Sequence, residues 1–292
     1  MDSPSTNPLP EGGATLAADR VADYELVQLL GEGNHGRYYL ARPPARLGLS
    51  DEFVALKVFG DRVGEQAYQR GVRELRAFAA VRSAYLVPVF DAVLEETFGY
   101  ATAYFPLGSL AAPARALSRT DVVTALEHGA RAAHDLHEAG LAHGDIKPGN
   151  ILLADTAGAI GGRLSDLGLA RVLTPGTTLT GMGHASAVEF TDPDLLAGAR
   201  PSRRTEVWAL GATIHRALTG TGLFGELPDN QPLLAIRKVL SARPQVHPAL
   251  APAEAALIGE CLGEGEHRLP TALAVADRLA QLRAGADDDG AG

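Results

Sequence analysis

His143-Gly144-Asp145-Ile146-Lys147-Pro148-Gly149-Asn150, followed by Ile151-Leu152-Leu153, is the stretch that decides how this chain is read. It presents a carboxylate, an amine and an amide within one short loop. The apolar triplet then leads to Leu164-Ser165-Asp166-Leu167-Gly168, which brings a second carboxylate just before a glycine. Phosphoryl transfer needs this set of groups. One carboxylate orients the attacking hydroxyl, an amine neutralises the moving phosphoryl group, and an amide oxygen with a second carboxylate holds Mg²⁺.

Working outward, the totals permit a large core or two lobes: 292 residues, 46% apolar and 21% charged, as in a globular protein. A net charge of -9 argues against a nucleic-acid partner, which calls for a basic face. The single cysteine, Cys261, leaves no internal disulfide and fits a reducing, cytoplasmic compartment. Residues 1–20 are rich in Pro, Gly and Ser without a basic start or an apolar core, so they read as a disordered tail and no signal peptide. No apolar run is long enough for a membrane span, and residues 284–292 read as a flexible tail.

On the N-terminal side, Tyr24 to Leu30 and Arg37 to Ala41 alternate like strands around a Gly-rich turn, Gly31-Glu32-Gly33-Asn34-His35-Gly36. Such a turn can lay backbone N–H groups over phosphates, because no side chain intervenes. A strand follows it, whereas a dinucleotide fingerprint would lead into a helix. Phe53 to Phe59 is a strand pattern with Lys57 amid apolar neighbours; alone it reads as an edge-strand lysine. Glu65 to Val81 is a helix with Val72, Leu75 and Phe78 in one stripe and Glu74 at its edge. Two more strands are expected at Leu86–Asp91 and Tyr100–Phe105. From Ser118 the period becomes helical, with Ser118 and Asp121 as a capping box. His128, His134 and His137 on this helix lack zinc-pair spacing and read as scattered surface or core histidines. Residues 169–194, with Thr174, Thr177, Thr178, Thr180, Ser186 and Thr191, read as a long loop. Helices follow at Thr205–Ala212 and near 231–241, 252–262 and 271–283, with a break at 263–268.

From about Tyr24 to Arg283 these parts resemble the eukaryotic-type protein kinase family, closest in flavour to bacterial serine/threonine kinases. The match lies in H-G-D-x-K-x-x-N against H-R-D-x-x-x-x-N, D-L-G against D-F-G, the Gly-rich hairpin and the strand carrying Lys57. The resemblance implies an α+β, bilobal protein-kinase-like fold, with a small β-rich N-lobe (21–105) bearing one main helix and a larger, mostly helical C-lobe (106–283). It implies ATP with Mg²⁺, or Mn²⁺ in its place, and a protein substrate offering Ser/Thr hydroxyls. Residue by residue, Asp145 would orient the hydroxyl and accept its proton, and Lys147 would sit on the γ-phosphoryl group. Asn150 and Asp166 would hold the metal. Gly31, Glu32, Gly33 and Gly36 would cover the phosphates, Lys57 would pair with them, and Glu74 would hold Lys57. Thr102, Ala103 and Phe105 would line the adenine strand.

Departures from the family pattern set further expectations. Gly144 stands where an Arg normally receives a phosphorylated loop residue, so the enzyme is expected not to be switched by phosphate on Thr177, Thr178 or Thr180. Leu167 replaces a Phe. Asp192-Pro193-Asp194 replaces A-P-E, with Asp194 the expected partner of Arg268. Glu206 replaces an Asp that would bond the catalytic-loop backbone, and Ala187, beside Ser186, replaces a Thr. Two other readings stand beside the protein kinase. One is a small-molecule phosphotransferase of the aminoglycoside and choline type, where Gly after the His is common. The other is a nucleotide-binding pseudokinase scaffold.

Overall fold

The computed structural model describes residues 20–33, 36–59, 65–94, 98–156, 158–166, 188–228 and 231–289. It falls into two compact units: Met1–Arg62 with Phe90–Tyr104, and Val63–Val89 with Phe105–Gly292.

The first unit is built on an antiparallel sheet of β1 (Arg20–Val21), β2 (Tyr24–Gly33), β3 (Gly36–Arg42), β4 (Val54–Val58), β5 (Val89–Leu94) and β6 (Phe98–Ala103), in the order β1-β2-β3-β4-β6-β5. Period-two alternation explains which side chains go inside. Val54 and Leu56 on β4 are buried with Tyr24, Leu26, Ala41 and Ala101. Lys57 falls out of phase with them and lies on the other face. The β2–β3 hairpin closes with Gly33 opposite Gly36. A Cβ at Gly36 would lie 2.2 Å from the Val58 carbonyl oxygen, so only glycine permits this close strand approach.

The larger unit is mostly helical: α1 (Glu65–Ala80), α2 (Arg119–Glu138), α3 (Pro193–Leu196), α4 (Arg203–Thr219), α5 (Pro232–Ser241), α6 (Pro252–Leu262) and α7 (Ala272–Asp289). On α1 the expected stripe Val72, Leu75 and Phe78 is buried and Glu74 is half-buried beside it. Ser118 caps α2 through a reciprocal box with Asp121, as expected. A small sheet carries β7 (Gly108–Ser109), β8 (Ala112–Pro113), β9 (Ile151–Thr156) and β10 (Ala159–Leu164), ordered β10-β9-β7-β8. Trp208 of α4 is 2% exposed and packs with Val188, Leu196, Leu223, Phe224 and Ile236. Among the described residues no helix is long and apolar enough to cross a membrane.

Three expectations change. The strand expected from Leu86 starts at Val89. Pro88 has no N–H for a ladder, and Val87 instead donates to the Leu164 carbonyl at 3.0 Å, tying this stretch to the larger unit. Residues 63–89, with α1, accordingly group with the larger unit, although the sequence reading put them in the smaller lobe. The last helix runs to Asp289, six residues into the expected tail.

Candidate active site

Within the larger unit, the 143–150 loop is fixed from several sides. Ile146, the one apolar residue between Asp145 and Lys147, is 2% exposed, and Ile151 behind Asn150 is fully buried. Asn150 between them is also buried, at 5% exposed, while Asp145 and Lys147 are half-buried. From α4, Glu206 accepts the Gly144 N–H, and Thr213, two turns later on the same face, donates to the Ile146 carbonyl at 3.3 Å. Gly144 has φ +79°, a left-handed conformation that costs a side-chain-bearing residue about 1–2 kcal/mol. That is the backbone reason for glycine at this position.

The polar groups converge on Asp145. Its Oδ2 accepts from Lys147 Nζ at 2.7 Å and from Asn150 Nδ2 at 2.9 Å. Asn150 Nδ2 also donates to the Asp145 carbonyl at 2.7 Å. Both amide hydrogens of Asn150 are thus directed at Asp145, which fixes the amide's orientation and leaves its oxygen as the atom suited to a hard cation. Ser165 staples the neighbouring segment in place. Its N–H and Oγ both donate to the Asn150 carbonyl, at 2.8 and 3.1 Å, and its own carbonyl accepts from His143 Nε2 at 2.8 Å. Asp166 follows directly, with φ +59°, a strained setting worth about 1–3 kcal/mol that persists only where the surroundings impose it. The donor set of amide oxygen and carboxylate, both oxygen ligands on a stapled backbone, suits a divalent cation of the Mg²⁺ type.

Two titratable groups support the loop. His143 is buried, and its burial pushes the imidazole below the ordinary 6.5 despite the nearby charges of Glu206 and Asp145. It is therefore neutral, with the proton on Nε2 facing Ser165 and Nδ1 accepting the Asp145 N–H at 3.3 Å. Burial would raise the Glu206 carboxyl, but the hydrogen bonds from His137 and the Gly144 N–H outweigh it and hold the carboxyl below its ordinary range. His128 is likewise lowered by burial. A histidine neutral in the fold and protonatable when unfolded gives stability that is complete above pH 6.5 and lost as pH falls below it. Urea unfolding should therefore give a smaller free energy at about pH 5.5 than at about pH 7. A flat or rising profile across that window would contradict the buried neutral assignment.

In the first unit, Gly31, Glu32, Gly33 and Gly36 form the β2–β3 hairpin end, with Glu32 accepting from Arg37 Nε at 2.7 Å. Lys57 sits on β4, and Thr102 and Ala103 end β6 opposite Ala55 and Val54. Phe105 and Glu74 belong to the larger unit: the Phe105 carbonyl accepts from Gly108 N–H at 3.1 Å, and Glu74 lies on α1. Leu167, Gly168, the loop threonines up to Thr180, Ser186 and Ala187 lie outside the described residues.

One expected pair is different. Arg268 bonds Asp192 at 2.5 Å, and both are buried, whereas Asp194 is exposed. Asp192 caps α3 from just outside it, so its side chain turns inward with the cap, while Asp194 belongs to the first helical turn. Glu206, one methylene longer than the aspartate expected there, still reaches the loop N–H, because His137 Nε2 holds its second oxygen at 2.6 Å. Among the three α2 histidines, His137 thus serves Glu206, and His128 accepts the Gly162 N–H at 3.2 Å. The sequence names no hydrogen-bond partner for Ser165, His137 or Asp192. Ser165 adjoins Asp166 and Asp192 stands in the Asp192-Pro193-Asp194 motif, but nothing in their spacing points to those partners.

The protein kinase domain family matches residues 24–277. A DNA damage-responsive serine/threonine-protein kinase, RqkA of Deinococcus radiodurans, is 33% identical over 226 residues, covering 74% of this chain and 32% of that protein. The serine/threonine-protein kinase PknK of Mycobacterium tuberculosis is 32% identical over 273 residues, covering 85% of this chain and 24% of its own length. The chain therefore spans only about a third to a quarter of the length of these two relatives. The crystal structure of the Mycobacterium tuberculosis PknI kinase domain superposes with a TM-score of 0.63 at 22% identity, covering 91% of this chain and 99% of that one, which shows the shared fold. A catalytic loop stapled to α4, a left-handed aspartate beyond β10 and a family match over most of the length lead to one conclusion: the chain belongs to the protein kinase family.

Proposed function

We propose that this chain is an ATP-dependent protein kinase that transfers the γ-phosphoryl group to Ser/Thr hydroxyls of a protein, itself included. The observation that carries the reading is the Asp145 cluster, where one carboxylate is held by an amine and an amide. Asp145 orients the substrate hydroxyl and accepts its proton as the hydroxyl oxygen bonds to the γ-phosphorus and the bond to the β–γ bridging oxygen breaks, releasing ADP. Lys147 moves its ammonium from Asp145 toward the γ-phosphoryl oxygens as charge develops there. Asn150 and Asp166 are the residues that would hold Mg²⁺, or Mn²⁺ in its place, and the ion would neutralise the β- and γ-phosphates. Lys57 pairs with the α/β-phosphates, with Glu74 as its carboxylate partner. Gly31, Glu32, Gly33 and Gly36 cover the phosphates, and Thr102, Ala103 and Phe105 line the adenine. Both bacterial relatives are named serine/threonine kinases, which supports the hydroxyl class. The net charge of -9 supports a partner other than nucleic acid, and a single free thiol with the use of ATP fits the cytoplasm.

The test is transfer of label from γ-labelled ATP with Mg²⁺ to the purified chain and to a generic Ser/Thr protein substrate, followed by identification of the phosphorylated residue type. Phosphoserine or phosphothreonine is the expected product. Label appearing only in a small hydroxylated solute would instead favour the phosphotransferase reading suggested by Gly144. ATP binding without any transfer would favour a scaffold.

A further inference from the structure

The strands β3, β4 and β6 set three residues directly opposite one another: Tyr38 faces Lys57, and Lys57 faces Tyr100. Directly opposed residues share one face of a sheet, so the lysine stem runs between two tyrosine rings. Lys57 Nζ lies 4.7 Å from the centroid of the Tyr38 ring and 5.9 Å from that of Tyr100. Phe59, two residues further along the chain, adds a third ring at 5.3 Å. Phe59 and Tyr100 are buried, and Phe59 packs against both Tyr100 and Phe98, at 6.1 and 5.3 Å between centroids. The wall behind the ammonium is therefore rigid, and half-buried Tyr38 closes its more open side.

An ammonium within about 6 Å of a ring centroid is attracted to the ring's negative face. Three rings around one ammonium confine a long, flexible side chain without neutralising it. Confinement before binding also removes part of the rotamer freedom that binding would otherwise take away. Tyr38 is two residues beyond Gly36, on the strand that leaves the Gly-rich hairpin end, so one strand links that turn to the lysine.

We propose that Tyr38 is a positioning residue for Lys57: with Tyr100 and Phe59 it forms an aromatic bracket that presets the ammonium for the nucleotide phosphates. The proposal rests on the assignment of Lys57 as the phosphate-pairing lysine. Tyr38 acts through Lys57 and needs its ring, while its hydroxyl is dispensable.

The test compares wild type, Tyr38→Phe, Tyr38→Leu, Tyr38→Val and Lys57→Ala. It measures ATP KM and kcat, together with the ε-methylene NMR signal of Lys57 in lysine-labelled protein. The ring predicts an upfield-shifted Lys57 signal that Phe preserves and that Leu and Val both lose. It also predicts an ATP KM raised about 2- to 30-fold in Leu and Val and near wild type in Phe. Valine is a strong strand former and serves if leucine disturbs the sheet. A packing role alone would lower thermal stability and leave both the signal and KM in place, which overturns the bracket. If Lys57→Ala leaves ATP KM unchanged, the nucleotide assignment of Lys57 itself fails, and the bracket falls with it. If Lys57→Ala raises KM while Tyr38→Leu does not, only the bracket fails.

Discussion

Replacing Asp145 by Asn should lower turnover by about 10²–10⁴-fold while ATP affinity stays within a few-fold of wild type. The asymmetry follows from the local bonds. Asp145 Oδ2 receives Lys147 Nζ at 2.7 Å and Asn150 Nδ2 at 2.9 Å, and an amide oxygen can still accept from both. The loop therefore keeps its shape, and what disappears is a basic oxygen able to take the hydroxyl proton. Steady-state kinetics with a protein substrate, paired with nucleotide titration, separates the two effects. Equal turnover in wild type and Asp145→Asn would remove Asp145 from the chemistry.

Arg268→Met should be the most damaging of the structural substitutions, at about 3–5 kcal/mol, because it strands the buried Asp192 carboxylate without its cation. Arg268 also donates to the Gly263 carbonyl at 2.7 Å and the Arg204 carbonyl at 3.2 Å, so three chain segments lose a common anchor. Asp194→Asn, by contrast, changes an exposed charge at a helix start and should cost less than about 1 kcal/mol. Urea unfolding of the two variants decides between them. Comparable losses in both would return Arg268 to Asp194 as its working partner.

That pair shows where sequence reading stops. Order along the chain made the catalytic loop legible, because Asp145, Lys147 and Asn150 are close neighbours and their chemistry is collective. The Lys57 strand, the α1 stripe and the capped start of α2 were legible from periodicity and from one capping box. The partner of Arg268 was not, since two aspartates flank Pro193 and only the backbone turn decides which side chain faces inward. Nor was the link from His137 to Glu206, 69 residues apart in sequence. It compensates the extra methylene that the sequence alone presents as a loosening. The displaced strand at Val89 turned on Pro88, whose missing N–H the alternation of apolar residues did not weigh.

The central claim is that Asn150 and Asp166 share one cation on a bound triphosphate next to Asp145. Manganese is the direct probe: with Mn²⁺ and a non-hydrolysable ATP analogue, electron paramagnetic resonance of the purified chain reports whether protein oxygens enter the metal's coordination shell. The account predicts one nucleotide-dependent Mn²⁺ site whose affinity falls at least tenfold in Asn150→Ala and in Asp166→Ala alike. A site of unchanged affinity in both variants would contradict it.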